Sequence, residues 1–277
     1  MTQEQYQYAL DTGSIHGELG HRPVGGPDQI GTMLDSMLPE NAPFFKGPAG
    51  HTIERQTWNG ILDGARETGF SVSVLAAIAE RESGFNQQAR NKKTSAAGLF
   101  QFVDQSWLLA MMNYGKEHGL GNYVKDLYWT KNDEGNDYIA VKRGRETEIL
   151  DLRYNPRLAA LMAAESLSAA KRTLEAKTGL NLRAEVTYLA QFMGTKGATF
   201  LLRAGENLPD APAVDFFPKF AQANPNVFYA EGQPRTLGEL KNELSSDIAE
   251  RARQYDSRAD ELGYGYPYVF NEPIPER

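Results

Sequence analysis

Residues 76–102 of the chain are "AAIAERESGFNQQARNKKTSAAGLFQF". An apolar helical run ends here in a glutamate, and a loop with a Gly-Leu-Phe-Gln-Phe string follows it. Each helical residue adds 100°, so Glu80 and Glu82 are about 200° apart and cannot form a carboxylate pair on one face. If Glu82 faces an aromatic cleft, desolvation raises its pKa toward the range of a general acid. On these residues alone, a solvated helix-terminal glutamate is the stronger interpretation.

The second half of the stretch, residues 95–102, places a small-residue turn beside Gln101. The amide of Gln101 can donate hydrogen bonds to sugar hydroxyls and acetamides and accept hydrogen bonds from them. The nearby phenylalanines fit a hydrophobic core and a groove wall about equally well, and they are Phe85, Phe100 and Phe102.

Composition excludes several function classes. The 277 residues carry a net charge of -7 and no cysteine. Binding to nucleic-acid phosphates needs a basic surface, and disulfides or thiolate metal sites need cysteine, so none of these is expected. The four histidines are too dispersed for a metal-ligand motif, so no metal and no cofactor is predicted; they are His16, His21, His51 and His118.

The chain is predicted to have three parts. Glycine and proline pairs in residues 1–50 suggest an arm or linker, residues 51–205 contain the main domain, and residues 206–277 form a C-terminal helical extension and tail. The first twenty residues lack the basic and apolar regions of a signal peptide. No run in the chain approaches the roughly 20 apolar residues of a transmembrane helix.

Local signals predict mainly helices. Aromatic and β-branched residues on both sides of an Asn-Asp-Glu-Gly turn predict a small hairpin within residues 121–150. A charged helix is predicted within residues 236–263, before a tail rich in tyrosine and proline, Tyr264–Arg277. Capping residues predict where four earlier helices begin: Thr52, Ser71, Asp104 and Asn155, the last followed by a proline.

Two motifs at this spacing resemble a known family. Glu82-Ser83 followed by Gly84, then residues 94–102, then Ser106-Trp107, are similar to the first two motifs of lytic transglycosylases of the soluble lytic type, glycoside hydrolase family 23, related to goose-type lysozymes. The resemblance spans roughly residues 52–205. It implies a mainly α, lysozyme-like domain with a glycan-binding groove. From its own residue pattern, the predicted hairpin is expected to form one wall of a groove.

A third motif resembles the family less closely. Many members carry Ala-Tyr-Asn-Ala-Gly, where this chain has Ala190-Gln191-Phe192-Met193-Gly194. In the family the tyrosine lies close to the catalytic acid and the asparagine helps to hold substrate. The alignment therefore predicts that Gln191 and Phe192 replace these two residues.

The resemblance implies a mechanism with one carboxylate. Glu82 would protonate the glycosidic oxygen between N-acetylmuramic acid and N-acetylglucosamine, then act as base while the muramic acid C6 hydroxyl attacks C1. The product is a 1,6-anhydro sugar. Ser83 would support the end of its helix, and the backbone of residues 98–102 would line the groove. The predicted substrate-binding residues are Ser83, Gly98, Leu99, Phe100, Gln101, Phe102 and Gln191.

Two alternatives stay open. A hydrolytic muramidase would need a second carboxylate to activate water, for which the candidates near in sequence are Asp104, Asp133 and Glu134. A structural or glycan-binding protein could keep the fold with a degenerate third motif.

The expected partners are peptidoglycan glycan strands, with action on the cell wall in the periplasm. Because no signal peptide is visible, carriage in a phage virion is favoured, and the alternatives are delivery by a secretion or flagellar apparatus, or a signal peptide that has been removed.

Overall fold

The computed structural model describes residues 44–261, and it describes side chains for residues 46–256. Most of the predicted arm, residues 1–50, and all of the predicted tail, Tyr264–Arg277, lie outside the described residues.

The described chain begins with two short antiparallel strands, β1 (Phe44–Lys46) and β2 (Thr52–Glu54), and then helix α1 (Arg55–Thr68). The prediction that a helix begins at Thr52 is wrong. Thr52 pairs with the preceding strand, and the fully buried Ile53 anchors β2 in the core, so the helix starts only at Arg55.

Helix α2 (Val72–Ser83) carries the predicted acid. It begins where predicted, because the Ser71 hydroxyl accepts a hydrogen bond from the Val74 amide at 3.3 Å. Eight consecutive residues of α2, from Ser73 to Glu80, are buried, so this helix runs through the protein interior. Interior packing thus fixes the direction in which its C-terminal residues point.

A smaller helical and hairpin region follows. Helix α3 starts at Asp104, and the predicted hairpin is confirmed as β3 paired antiparallel with β4. The Gln105 side chain donates to the Ile139 carbonyl at 2.9 Å and accepts from the Ile139 amide at 2.8 Å, which fixes the hairpin on α3. The elements are α3 (Asp104–Tyr114), α4 (Gly121–Val124), β3 (Leu127–Lys131), β4 (Asp137–Val141), α5 (Glu146–Asp151) and a 3-10 turn (Leu152–Tyr154).

The longest helix of the main domain, α6 (Pro156–Thr178), confirms its predicted start, since the Asn155 side chain accepts from the Leu158 amide at 3.1 Å. It packs closely on α1 at two glycines. A Cβ atom added to Gly60 or Gly64 would lie 2.6 Å from the nearest atom of α6, which is shorter than any normal contact. These glycines therefore permit the close approach of α1 and α6.

The C-terminal part of the described chain packs against α2. Helix α7 kinks at Gly194, which has φ 73°, and the predicted charged helix forms as α11. Its fully buried leucines and isoleucine share one core with α2 and α7. The elements are a 3-10 turn (Ala184–Thr187), α7 (Tyr188–Asn207), α8 (Ala213–Phe216), α9 (Pro218–Ala223), α10 (Pro225–Phe228), β5 (Tyr229–Ala230), β6 (Gln233–Pro234) and α11 (Leu237–Glu261).

The predicted mainly α, lysozyme-like fold with a small antiparallel sheet is confirmed. Within residues 44–261, no helix combines the length and apolar character that crossing a bilayer requires.

Candidate active site

Glu82 lies in the last turn of α2, and its side chain is half-buried. Desolvation raises the pKa of Glu82 above its ordinary value, while the hydrogen bond from Tyr188 and the charge of Arg81 act in the opposite direction. The Tyr188 hydroxyl donates to Oε1 of Glu82 at 2.9 Å. Oε2 is therefore the oxygen on which a transferable proton can reside.

Tyr188 is the first residue of α7 and is only 3% exposed. Nε of Arg81 lies 2.9 Å from the Tyr188 hydroxyl, and its guanidinium carbon lies 5.0 Å from the centre of the tyrosine ring. A phenol has one hydrogen, so the hydroxyl accepts from Arg81 and donates to Glu82. Burial raises the pKa of Tyr188, so it remains a neutral donor.

The chain turns sharply after Glu82. Gly84 and Phe85 both have left-handed backbone angles, with φ 58° and 65°. For phenylalanine this conformation is strained, by roughly 1–2 kcal/mol. The Phe85 side chain is buried against Tyr255, with ring centroids 6.1 Å apart, and this packing holds the turn. The end of α2 is therefore locked.

Ser83 connects α2 to the second motif. Its Oγ lies 2.8 Å from the Leu99 carbonyl oxygen and 3.0 Å from that of Ala79, and it can donate its hydrogen to either. The contact fixes the glutamate-bearing helix end beside residues 95–102. Direct contact of Ser83 with substrate stays a prediction.

The loop of the second motif is held from inside. Gly98 has φ 77°, and a Cβ there would lie 2.2 Å from the Arg153 carbonyl oxygen, so only glycine fits. The Arg153 guanidinium donates to the carbonyls of Ser95 and Phe102, each at 3.0 Å. Gln101, with φ 50°, donates from its side-chain amide to the Gly98 carbonyl at 2.9 Å. The side-chain amide of Gln101 thus stabilises the loop to which it belongs.

The predicted groove residues of this loop divide into two groups. The side chains of Leu99 and Phe100 are 0% and 2% exposed and belong to the core, so only their backbone is available to a glycan. Phe102 is half-buried and packs edge-on against Trp107, with ring centroids 5.5 Å apart. Phe85 and Phe100 are buried, so of the two predicted places, hydrophobic core or groove wall, they belong to the core.

A tyrosine that lies just before the third motif contacts Glu82, and the sequence comparison did not predict it. The tyrosine beside the acid is Tyr188, three positions, or about one helical turn, before Gln191. Shifting the motif by one turn would have found it. Gln191 is exposed, and its binding role stays a prediction. The Phe192 ring lies between Tyr188 and Phe220, with centroids 6.4 and 6.3 Å away.

The carboxylates proposed for a hydrolase lie elsewhere. Asp104 pairs with Arg153 at 2.7 Å, and Asp133 and Glu134 are exposed in the turn between β3 and β4. No hydrogen bond or ion pair joins any of the three to Glu82 in the part of the chain that the structure describes. Residues 44–261 also contain no group of three or more acidic, histidine or cysteine side chains suited to a metal.

Glu82, the turn after it and the loop of residues 95–102 form one unit of fixed geometry. Residues 61–125 match the family model of the transglycosylase SLT domain. The SLT match starts within α1, includes Glu82 and Gln101, and ends just after α4. It confirms the predicted resemblance to soluble lytic transglycosylases and supports a function of that general type on peptidoglycan. Tyr188 lies outside the SLT segment.

Proposed function

We propose that the protein is a peptidoglycan lytic transglycosylase that cleaves the β-1,4 bond between N-acetylmuramic acid and N-acetylglucosamine without water. The observation that carries this proposal is the Glu82 carboxyl. It is half-buried, its pKa is raised by desolvation, and a neutral tyrosine donates to one of its two oxygens. The SLT match around it supports the same substrate class.

Glu82 acts first as the acid. Its proton passes to the glycosidic oxygen, the bond from this oxygen to C1 of the muramic acid breaks, and N-acetylglucosamine leaves with a hydroxyl at that position. A raised pKa keeps the required proton on Glu82 at higher pH than an ordinary glutamate would allow. Tyr188, bonded to Oε1, keeps the carboxyl plane oriented during this transfer.

Glu82 then acts as the base. The muramic acid C6 hydroxyl attacks C1 and gives its proton to the Glu82 carboxylate, which restores the starting enzyme and forms the 1,6-anhydro ring. The attack is intramolecular, so it needs no second carboxylate to position water. This matches a site in which Tyr188 is the hydrogen-bond donor to Glu82, while Asp104 pairs with Arg153 and the other two rival carboxylates are exposed in the hairpin turn.

The glycan is proposed to bind beside the loop of residues 95–102. Gln101 and the backbone of Gly98, Leu99, Phe100 and Phe102 line this side, with Ser83 and Gln191 nearer the helix ends. Because Arg153 and Gln101 hold the loop through its own carbonyls, its shape is set before substrate arrives. We expect this loop to position substrate.

Product analysis tests the proposed function. Purified peptidoglycan is digested with the wild-type protein and with Glu82→Gln, and the fragments are analysed by mass spectrometry. We expect muramic acid ends lighter by one water, the mass of an anhydro ring, only with the wild type. Reducing muramic acid ends would show a hydrolase instead, and no cleavage by the wild type would indicate a binding protein.

The place of action follows from the substrate, since peptidoglycan lies outside the cytoplasmic membrane. Carriage in a phage virion, or delivery by a secretion or flagellar apparatus, remains a proposal about the partners. Detection of the protein in purified virions by peptide mass spectrometry would support the first. Absence of the protein from every virion preparation made from its host would contradict carriage in a virion.

A further inference from the structure

Arg81, the residue before the proposed acid, is held from two sides. Its Nε donates to the Tyr188 hydroxyl, and its Nη1 donates to the carboxylate of Asp247 on α11. Asp247 lies 166 positions further along the chain and outside the SLT segment. The C-terminal helix therefore reaches the hydrogen-bond chain that ends on Glu82.

Asp247 is itself oriented by a second arginine. Nε of Arg251, one turn along α11, donates to the other oxygen of Asp247 at 3.0 Å. Arg251 also lies 3.5 Å from Oε1 of Glu80, which closes a path from α11 back to α2. Each oxygen of Asp247 thus has an arginine partner, and the carboxylate cannot rotate freely.

We propose that Asp247 is a positioning residue, which holds Arg81 against Tyr188 and thereby fixes the hydroxyl that donates to Glu82. This inference rests on the proposed function, because it assigns a role in the reaction of the same site. It extends the catalytic machinery beyond the SLT segment to the C-terminal helix.

The order of the contacts carries the proposal. Arg81 must present Nε to Tyr188 so that the single hydroxyl hydrogen points at Glu82. A free arginine has several rotatable bonds, and ordering them is unfavourable in entropy. A carboxylate on its far side supplies a fixed partner for Nη1 and removes part of that freedom.

Charge gives the second part of the argument. The charged or titratable groups around Glu82 are Arg81 on α2 and Tyr188 on α7. Around Asp247 they are Arg81 and Arg251, beyond which Glu80 contacts His51 and Tyr255. The negative charge of Asp247 offsets the positive charge of Arg81. The arginine therefore orients Tyr188 without fully stabilising the ionised form of Glu82.

Two substitutions test the proposal through opposite shifts. Asp247→Asn removes the offsetting charge, so the pKa of Glu82 should fall by about half a unit and the alkaline limb of kcat/KM should move to lower pH. Arg81→Gln removes the positive charge, so the limb should move to higher pH. In both variants kcat at neutral pH should fall about threefold to tenfold, with KM nearly unchanged.

The control is Glu250→Gln, which breaks an exposed ion pair with Arg253 on the same helix. The pH profile of Glu250→Gln should equal that of the wild type. Asp247→Glu keeps the negative charge, so it should bring the alkaline limb most of the way back to its wild-type position. Melting temperatures are measured beside the kinetics for all variants. If Asp247→Asn and Arg81→Gln lose activity with unchanged pH profiles, Asp247 only fastens α11 to the protein and the proposal is overturned.

A readout without activity separates this proposal from the proposed function. The carboxyl carbon of Glu82 is titrated by 13C NMR in the wild type and each variant, with Glu82→Gln to assign the signal. Opposite pKa shifts in Asp247→Asn and Arg81→Gln support positioning even if no cleavage product is found. Cleavage by the wild type with identical Glu82 titrations in all variants overturns the positioning role alone.

Discussion

Glu80 and Glu82 lie two positions apart in α2, yet their surroundings differ in kind. The Glu80 side chain is fully buried, accepts from the Tyr255 hydroxyl at 3.0 Å, and lies within 3.5 Å of His51 and Arg251. Glu82 is half-buried, and its hydrogen bond comes from the neutral Tyr188. The same residue type thus serves as an anchor on one face and as a candidate acid on the other.

The comparison shows which property makes a glutamate a candidate acid. Glu80 contacts the Tyr255 hydroxyl, His51 and Arg251, and these contacts hold it in a polar network between α2 and α11. Burial of Glu82 raises its pKa by desolvation, against the opposing effects of the Tyr188 hydrogen bond and the Arg81 charge. The difference arises from the rotation of about 200° between the two positions.

Replacing Glu82 should give the largest effect on activity. Glu82→Gln removes the transferable proton, and we expect the rate of peptidoglycan cleavage to fall by about 10³-fold or more. The melting temperature should not fall, because the amide stays neutral in a half-buried place. Rates are measured by release of soluble fragments. Activity within tenfold of the wild type would remove Glu82 from the reaction.

The difference in melting temperature between Glu82→Gln and the wild type should depend on pH. The pKa of folded Glu82 is raised above that of the unfolded chain, so its contribution to stability is present below the unfolded pKa and is lost as pH rises through the folded pKa. The variant has no such loss. The melting temperature of Glu82→Gln should therefore rise relative to that of the wild type as pH increases above the ordinary glutamate pKa. A difference that stays constant with pH would contradict the raised pKa.

Tyr188→Phe should have an intermediate effect. Loss of the hydroxyl removes a hydrogen bond that lowers the pKa of Glu82, so this pKa should rise further and the alkaline limb of the rate profile should move to higher pH. At neutral pH, kcat should fall about tenfold, since the carboxyl loses its orienting contact. A variant with wild-type kcat and an unmoved limb would show that Tyr188 only fills space.

Glu80→Gln should mainly affect stability. The amide cannot replace the charge near Arg251 and His51, so the free energy of unfolding should decrease by about 2 kcal/mol, measured by urea denaturation. Cleavage by the folded variant should remain within about tenfold of the wild type. A loss as large as that of Glu82→Gln, with unchanged stability, would reverse the roles of the two glutamates.

Gln191→Ala should give the smallest change. The side chain is exposed, and loss of one hydrogen bond to a glycan would raise KM by about twofold to fivefold without changing kcat. Gln56→Ala, at an exposed glutamine of α1, serves as the control. Equal kinetics for both variants would exclude Gln191 from substrate binding.

Local signals explain what the sequence could predict. Ser71 and Asn155 cap helices through side chains within three residues of their partners, and the hairpin turn is set by its own residues. Glu82 is predicted as the candidate acid in the same way, because Glu82-Ser83 and residues 98–102 stand close together in the chain. The SLT match falls on this segment.

The features that the sequence did not predict depend on long-range packing. Tyr188 is 106 positions from Glu82, and no local pattern marks the residue that a kinked helix brings to an acid. The error at Thr52 has a similar origin, since pairing with β1 overrides a capping signal. The burial of Leu99 and Phe100 likewise depends on a core formed with residues distant in the chain.

The pH dependence of kcat/KM tests most directly whether Glu82 alone serves as acid and base. Formation of anhydro ends is followed over the pH range in which the melting temperature shows a folded protein. We expect a single ionisation: activity is constant at low pH and falls as pH rises through the pKa at which the Glu82 carboxyl titrates by NMR. A bell-shaped profile, with an acid limb from a second carboxylate, would contradict a one-carboxylate transglycosylase and indicate a hydrolase.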